Sequence, residues 1–326
     1  MWTHARGVPV RRIVAIVAAS TFLAASCGNG TSSDPGAGGD PVIAAAGDIA
    51  CDPADPNFNG GAGTSDACAQ QRTSDVVVSA NPTAVLVLGD AQYDCGGDAA
   101  FQASYAPSWG RLKDITHPVP GNQEYNGGGP DCDPNSQAAG YFRYFGPAAG
   151  PAGEGYYSFD IGAWHMIALN ADCGDVPGGC EAGSPQETWL KADLAANPST
   201  CTLAFWHQPR FSSGSNGDED KVAPFWDDLF AAGADVVLNG HDHGYERFAP
   251  QDPNREPDPS GPREFVVGSG GDDHGGFSGS PDPNSEVRDD TSFGVLFLTL
   301  HSAGYDWQFR PAAGASFTDA GTGGCH

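Results

Sequence analysis

Five short segments between residues 47 and 247 carry side chains that bind metal ions. They are Gly47-Asp48, Gly89-Asp90-Ala91-Gln92-Tyr93, Gly121-Asn122-Gln123-Glu124, Trp206-His207-Gln208-Pro209 and Gly240-His241-Asp242-His243-Gly244-Tyr245-Glu246-Arg247. The candidate ligands are two carboxylates (Asp48, Asp90), a phenol (Tyr93), an amide (Asn122) and three imidazoles (His207, His241, His243). Oxygen and nitrogen donors in that number suit two neighbouring cations. A carboxylate has two oxygens, so Asp90 can bridge a pair. Cations ~3.5–4 Å apart hold the attacking and leaving oxygens of a phosphoryl displacement. The chemistry indicated is metal-assisted hydrolysis of a phosphate ester. A lone Gly-Asp is most often only a turn, and a lone His-x-His is ambiguous; the ordered set is what carries the reading.

Short apolar runs must position these groups. Val42–Ala46 precedes Gly47-Asp48, and residues 83–88 precede Gly89-Asp90. Runs at 164–169, 202–206 and 235–238 end at Asn170, His207 and Asn239-Gly240-His241. Runs of that length read as buried strands, and ligands gather beyond the C-terminal ends of strands in α/β sheets. Helices are expected at 69–80, 99–112, 185–196 and 222–232. Ser184-Pro185-Gln186-Glu187 has the form of an N-cap with proline at the first helical position. Further strands are expected at 264–267, 294–300 and 305–310, with polar loops at 251–261 and 272–290. The pattern predicts one α/β domain with two sheets.

The chain has 326 residues, 46 glycines, 26 prolines and a formal charge of −26. Such a surface repels nucleic acid, so no nucleic-acid partner is expected. An anionic phosphate substrate then needs local positive charge, which bound metal ions supply. Residues 1–26 read as an export signal: Arg6, Arg11 and Arg12 lead an apolar run, 13–23, too short to span a bilayer. Ala24-Ala25-Ser26-Cys27 resembles a lipoprotein cleavage site, with Leu23 one place early. Cys27 is then either lipidated, giving membrane attachment, or free after an ordinary secretory cut. Residues 27–40 read as a flexible tether and 41–326 as the catalytic domain. The other eight cysteines form an even set in an exported chain, which implies disulfides. Sequential pairing is the simplest of many connectivities: Cys51–Cys68, Cys95–Cys132, Cys173–Cys180 and Cys201–Cys325. A zinc site is the rival use, without CxxC spacing to support it.

The five motifs, in this order, resemble the calcineurin-like metallophosphoesterase superfamily and, within it, the purple acid phosphatase branch. The likeness spans about residues 42–310. It implies a two-sheet αββα sandwich with a dinuclear centre. One metal would be held by Asp48, Asp90, Tyr93 and His243; the other by Asp90, Asn122, His207 and His241, with Asp90 as the bridge. The first motif, Asp48-Ile49-Ala50, lacks the histidine common elsewhere in the superfamily, and Tyr93 in Gly-Asp-x-x-Tyr compensates. A phenolate is a hard anionic ligand that suits ferric iron; otherwise Tyr93 packs beside the site. The cofactors implied are two divalent or trivalent ions, iron with zinc, manganese or iron.

One position departs from the family. Gln123 stands where a histidine is usual. Its amide can donate a hydrogen bond but cannot act as an acid near neutral pH. Activity is then reduced, another group serves, or the leaving group needs no proton. Arg210 is a candidate, as a fork on phosphate oxygens or as an ordinary surface arginine. His274, in the loop 270–276, is a weaker one. Glu124 and Arg247 are expected to make supporting contacts, and His117, His165 and His301 receive no role. The expected reaction is hydrolysis of a small phosphate monoester by a metal-bound hydroxide. The alternatives are a phosphodiesterase or nucleotide hydrolase on the same centre, and a weakly catalytic envelope protein that binds metal or a phosphorylated ligand. Asp90, Gln123 and Arg210 are thus the residues expected to act on substrate. The subunit number is not encoded in these patterns.

Overall fold

Alternation with period two sets the layers. In four successive strands of one sheet, Met166, Ala168, Leu203, Phe205, Val236, Leu238, Phe265 and Val267 belong to one buried core. The residues between them, Ile167, Ala204, Val237 and Val266, belong to a second core. Side chains on a strand point to opposite faces in turn, so this sheet is covered on both sides. The first core also holds Ile43, Ala45, Val85, Val87, Leu296 and Leu298 from the other sheet. The second holds Leu190, Phe225, Trp226 and Leu229 from helices.

The computed structural model describes residue 1 and residues 39–126, 132, 137–277 and 279–326. Residues 40–326 form one compact unit. Residues 2–26 of the expected signal, Cys27 and nearly all of the expected tether lie outside the described residues.

The strands, in chain order, are β1 (Val42–Ala46), β2 (Ala84–Leu88), β3 (Thr116–Val119), β4 (Tyr157–Ile161), β5 (Trp164–Ala168), β6 (Cys201–Phe205) and β7 (Val236–Asn239). They continue as β8 (Tyr245–Phe248), β9 (Arg263–Val267), β10 (Ser285–Asp289), β11 (Gly294–His301), β12 (Gly304–Pro311) and β13 (Ala320–Gly324). One sheet runs β13-β12-β11-β1-β2-β3 and the other β10-β8-β9-β7-β6-β5-β4. β1, β2 and β3 are parallel, as are β5, β6, β7 and β9. The main helices are α1 (Gln70–Ala80), α2 (Ala139–Phe145), α3 (Pro185–Ala196) and α4 (Ala223–Ala231). α1 ends on Asn81 in the left-handed region, a conformation asparagine tolerates. α3 begins as its sequence predicts: the Ser184 hydroxyl accepts from the Glu187 amide, with Pro185 in the first turn.

Two expectations fail. The helix expected at 99–112 breaks into Asp98–Ala100, a wide turn at Phe101–Tyr105 and a tight helix at Trp109–Ile115. Pro107 has no N–H for the ladder, and the Ser108 hydroxyl donates instead to the carbonyls of Ser104 and Tyr105. The expected polar loop at 272–290 carries β10, which pairs with β8 at the sheet edge.

All four disulfides follow the sequential pairing: Cys51–Cys68, Cys95–Cys132, Cys173–Cys180 and Cys201–Cys325. Together they fit a protein that works outside the reducing cytoplasm. Cys201 opens β6 in one sheet, and Cys325 follows β13 in the other. No helix among the described residues is long and apolar enough to cross a membrane.

Candidate metal centre

The candidate ligands leave the sheets on five loops at the same edge of the sandwich. Asp48 follows β1, Asp90 and Tyr93 follow β2, and Asn122 follows β3. His207 follows β6, while His241 and His243 lie between β7 and β8. Three of them sit in the left-handed backbone region: Asp48 (φ 59°), Asp90 (φ 44°) and His241 (φ 73°). A non-glycine residue there carries strain of order 1 kcal/mol or more, and such strain concentrates at functional sites. Neighbouring glycines make the room. A Cβ on Gly89 would lie 2.5 Å from His207 Nδ1, and one on Gly240 2.6 Å from Asp48 Oδ2.

Two atoms organise the side chains. The first is Nε2 of His207, whose residue is fully buried. It lies 3.1 Å from Asp90 Oδ2, 3.1 Å from Asn122 Oδ1 and 3.2 Å from His241 Nδ1. The other ring nitrogen of His207 faces the Leu88 carbonyl oxygen at 2.8 Å and donates to it. The second atom is the Tyr93 hydroxyl. It lies 2.9 Å from Asp48 Oδ1, 3.1 Å from Asp90 Oδ2 and 2.9 Å from His243 Nε2. Each central atom can carry one proton at most, yet each faces three lone-pair atoms. One proton cannot serve three acceptors, whereas one cation can. Donors held ~2.1 Å from a cation lie roughly 3.0 Å apart at right angles and roughly 3.4 Å apart at tetrahedral angles. The observed separations fall in that range, so both sets fit a metal ion. Asp90 Oδ2 belongs to both.

Comparison with known proteins agrees with this geometry. The family model for calcineurin-like phosphoesterases matches residues 42–245. The chain belongs to that family. Among curated relatives it is similar to purple acid phosphatase 22 of Arabidopsis thaliana, 35% identical over 43% of this chain and 32% of the relative. It is also similar to purple acid phosphatase 15 of the same plant, 30% identical over 59% of this chain and 40% of the relative. The chain therefore spans about a third to two fifths of the length of these relatives. A solved purple acid phosphatase from yellow lupin seeds shares the fold, with a TM-score of 0.65 at 17% identity, over 88% of this chain and 54% of that one.

In this calcineurin-like phosphoesterase the charge pattern invites cations. Burial pushes the Tyr93 phenol well above 10, and the carboxylates of Asp48 and Asp90 push it further. Burial works to raise the Asp48 carboxyl, but its hydrogen bond with His243 and the surrounding imidazoles hold it below the usual range. Burial works to lower His207, and Asp90 overcomes it, raising the imidazole to about 10. With no cation present, protons collect on His207 and His243 to balance the carboxylates, while burial and the His207 charge hold His241 below the usual imidazole range. Metal binding displaces such protons.

Further contacts fix the donors. The Gln123 backbone N–H donates to Asp90 Oδ1 at 2.8 Å, which leaves Oδ2 turned to the two sets. The His241 amide donates to Asp48 Oδ2 at 2.8 Å. His243 Nδ1 is paired with Asp273, an arrangement that aims Nε2 and raises its basicity. Glu124 accepts from the Gly121 and Gln92 amides at 2.8 and 3.1 Å, tying two ligand loops together. Burial raises this carboxyl to about 8, and the Asp90 charge adds to the rise.

The side chains of the other candidates have partners outside the two ligand sets. The Gln123 side chain accepts from Asn126 at 3.3 Å. Arg210 is held by Asp220 at 2.8 Å and lies over the Phe211 ring; none of its contacts is a candidate ligand. His274 stacks on Phe293, with ring centroids 4.0 Å apart. Arg247 pairs with Asp319 and Glu286 and lies over Trp307, a structural role. His117 stacks on Phe159, and His165 and His301 each lie between two aspartates. Asp273 escaped sequence reasoning. Its signal was an acidic pair in the glycine-rich loop that follows β9, the same strand-then-loop setting as the other ligands.

Proposed function

We propose that the chain is a phosphoesterase that hydrolyses small phosphate monoesters at a two-metal centre. Asp48, Asp90, Tyr93 and His243 would hold one ion, and Asp90, Asn122, His207 and His241 the other. The observation that carries this is the pair of buried atoms, Tyr93 Oη and His207 Nε2, each facing three acceptors and sharing Asp90 Oδ2. The relatives named purple acid phosphatases support the reaction class.

When bound, two such ions neutralise phosphoryl oxygens and lower the pKa of water. The chain's own residues do the positioning. Asp90 is clamped through Oδ1 by the Gln123 backbone N–H, so its other oxygen keeps one orientation. His207 is fixed by the Leu88 carbonyl and His243 by Asp273. Gln123 can donate a hydrogen bond to a phosphate oxygen but has no proton to give the leaving alkoxide. Esters with acidic alcohols or phenols are therefore the better substrates. Water and monoester yield alcohol and inorganic phosphate. Iron paired with zinc, manganese or a second iron is the proposed metal content, since a phenolate favours ferric iron. Export with a lipid on Cys27 is the proposed location, and mass measurement of the envelope-purified chain tests it.

The decisive experiment loads purified protein with iron and zinc or manganese, then counts metals and measures hydrolysis of nitrophenyl phosphate and bis-nitrophenyl phosphate. Two ions per chain and a faster monoester are expected. A faster diester replaces the monoester reading with the phosphodiesterase one, and no turnover with two ions bound removes the hydrolase reading.

A further inference from the structure

β6 and β7 run parallel, and the ligand loops leave their C-terminal ends. A second group of metal-binding side chains meets at the opposite ends of the same two strands. Cys201 opens β6, Asp235 immediately precedes β7, and Cys325 and His326 follow β13. The sulfurs of Cys201 and Cys325 and a carboxylate oxygen of Asp235 all lie within 4.8 Å of one another. His326 completes the group. Its Nδ1 lies 3.0 Å from Asp235 Oδ1, and its backbone N–H donates to the same oxygen at 2.9 Å.

Two sulfurs, one nitrogen and one oxygen are donors that zinc takes in tetrahedral sites. Zinc lies ~2.3 Å from sulfur and ~2.0–2.2 Å from nitrogen and oxygen, which sets such donors roughly 3.4–3.8 Å apart. The group already has about that size. What keeps it from a metal is the bond between its two sulfurs. With that bond cut, rotation about the two Cα–Cβ bonds parts the sulfurs, whose Cα atoms are 5.3 Å apart. The setting also separates this pair from the other disulfides: among the described residues no other cysteine lies in such a group. Cys201 is fully buried and Asp235 is 2% exposed. Among the described residues no lysine or arginine pairs with Asp235, and its charged partner is His326. Its second oxygen accepts from the Thr202 N–H at 2.7 Å, which holds the carboxylate against the start of β6.

We propose that the reduced chain binds one zinc ion at Cys201, Asp235, Cys325 and His326, so that this corner is held by a disulfide when oxidised and by a metal when reduced. The exchange balances. A dithiol passes two electrons and two protons to the Cys201–Cys325 bond and itself becomes a disulfide. Zinc then displaces the two thiol protons and binds both thiolates, with the Asp235 carboxylate and a neutral ring nitrogen of His326 as the other donors. None of the four residues is a candidate ligand of the phosphoesterase centre, so the proposal stands whether or not that centre hydrolyses esters.

The test reduces the full chain with dithiothreitol in the absence of oxygen, removes the reductant, and titrates the protein with cobalt(II) and then zinc. The phosphoesterase centre offers no sulfur, so thiolate-to-cobalt absorption reports only freed cysteines. A variant with Cys201→Ser and Cys325→Ser, treated in the same way, measures what the remaining cysteines take up. The unsubstituted chain should bind one more cobalt than this variant, with the spectrum of a tetrahedral thiolate site, and one equivalent of zinc should bleach it. His326→Ala and, separately, Asp235→Asn should leave the circular dichroism of the oxidised chain unchanged. Each should weaken zinc binding by the reduced chain about tenfold or more, since even a residue that only orients a ligand is worth about 10-fold to 100-fold. Equal cobalt uptake and equal spectra in the unsubstituted chain and the double serine variant overturn the proposal. Unchanged zinc affinity in either single variant overturns the four-ligand set. If the reduced chain unfolds, zinc must restore its circular dichroism, and failure to do so overturns the proposal as well.

Discussion

The two halves of the proposed centre share one oxygen and little else. The half built on Tyr93 adds a carboxylate, a phenol and one imidazole to Asp90, so its donors carry negative charge. The half built on His207 adds an amide and two imidazoles, all neutral. Exposure does not separate them: Asn122 and His241 in the one half and His243 in the other are partly exposed, and Asp48, Tyr93 and His207 are buried. On the proposed assignment the Tyr93 half would suit the more highly charged cation. The His207 half, with neutral donors added to Asp90, would suit a divalent ion. The proposed centre would then take two unlike metals.

Breaking the shared oxygen should erase the distinction altogether. Asp90→Asn is expected to leave fewer than one ion per chain and to lower nitrophenyl phosphate turnover about a thousandfold or more. Elemental analysis that still finds two ions would remove Asp90 as the bridge. Gln123→His tests what both halves lack, a proton donor. General acids contribute ~10²–10⁴-fold, so glycerol phosphate turnover should rise by about a hundredfold, with nitrophenyl phosphate hardly changed. An equal gain on both esters argues that the new side chain only binds phosphate. Tyr93→Phe touches the anionic half alone. The visible phenolate absorbance of the iron-loaded protein should vanish, with activity falling roughly tens of fold. A wild-type protein that is colourless with iron bound would end the claim for Tyr93 as a ligand. The smallest change is Asp273→Asn, which loosens only His243. Loss of such a partner weakens metal binding about 10-fold to 100-fold, and competition with a chelator should show the loss in one ion of the two.

The parts legible in sequence were those with strong local signals. β1 and β2 are unbroken apolar runs that stop at Gly-Asp, and α3 declares its start through Ser184 and Pro185. All seven candidate ligands come together in the structure, and all but Asn122, which follows β3, lay after such a run. The parts that were not legible owe their form to partners distant in sequence. β3 contains Pro118, which argues against a strand, yet β3 pairs only with β2 at the sheet edge, where a missing N–H is tolerated. β13 reads Ala-Gly-Thr-Gly-Gly, with almost no apolar content, and is a strand only through its ladder with β12. β10 is polar and lies at the other sheet's edge. Asp273 was hidden for a related reason: its value lies in the distance to His243, 30 residues away in the chain.

The bond between Cys201 and Cys325 has a mechanical meaning. Asp48, Asp90, Tyr93 and Asn122 ride on one sheet, and His207, His241 and His243 on the other. Cys201 opens the strand whose far end carries His207, so the disulfide rivets the seam at the end opposite the ligands. It closes a span of 124 residues, which in the chain-entropy account is worth roughly 5 kcal/mol. The proposed ions fasten the same seam from the other end. Oxidation and metal loading are then two stitches in one join, added at its two ends to the apolar core that the sheets share between them.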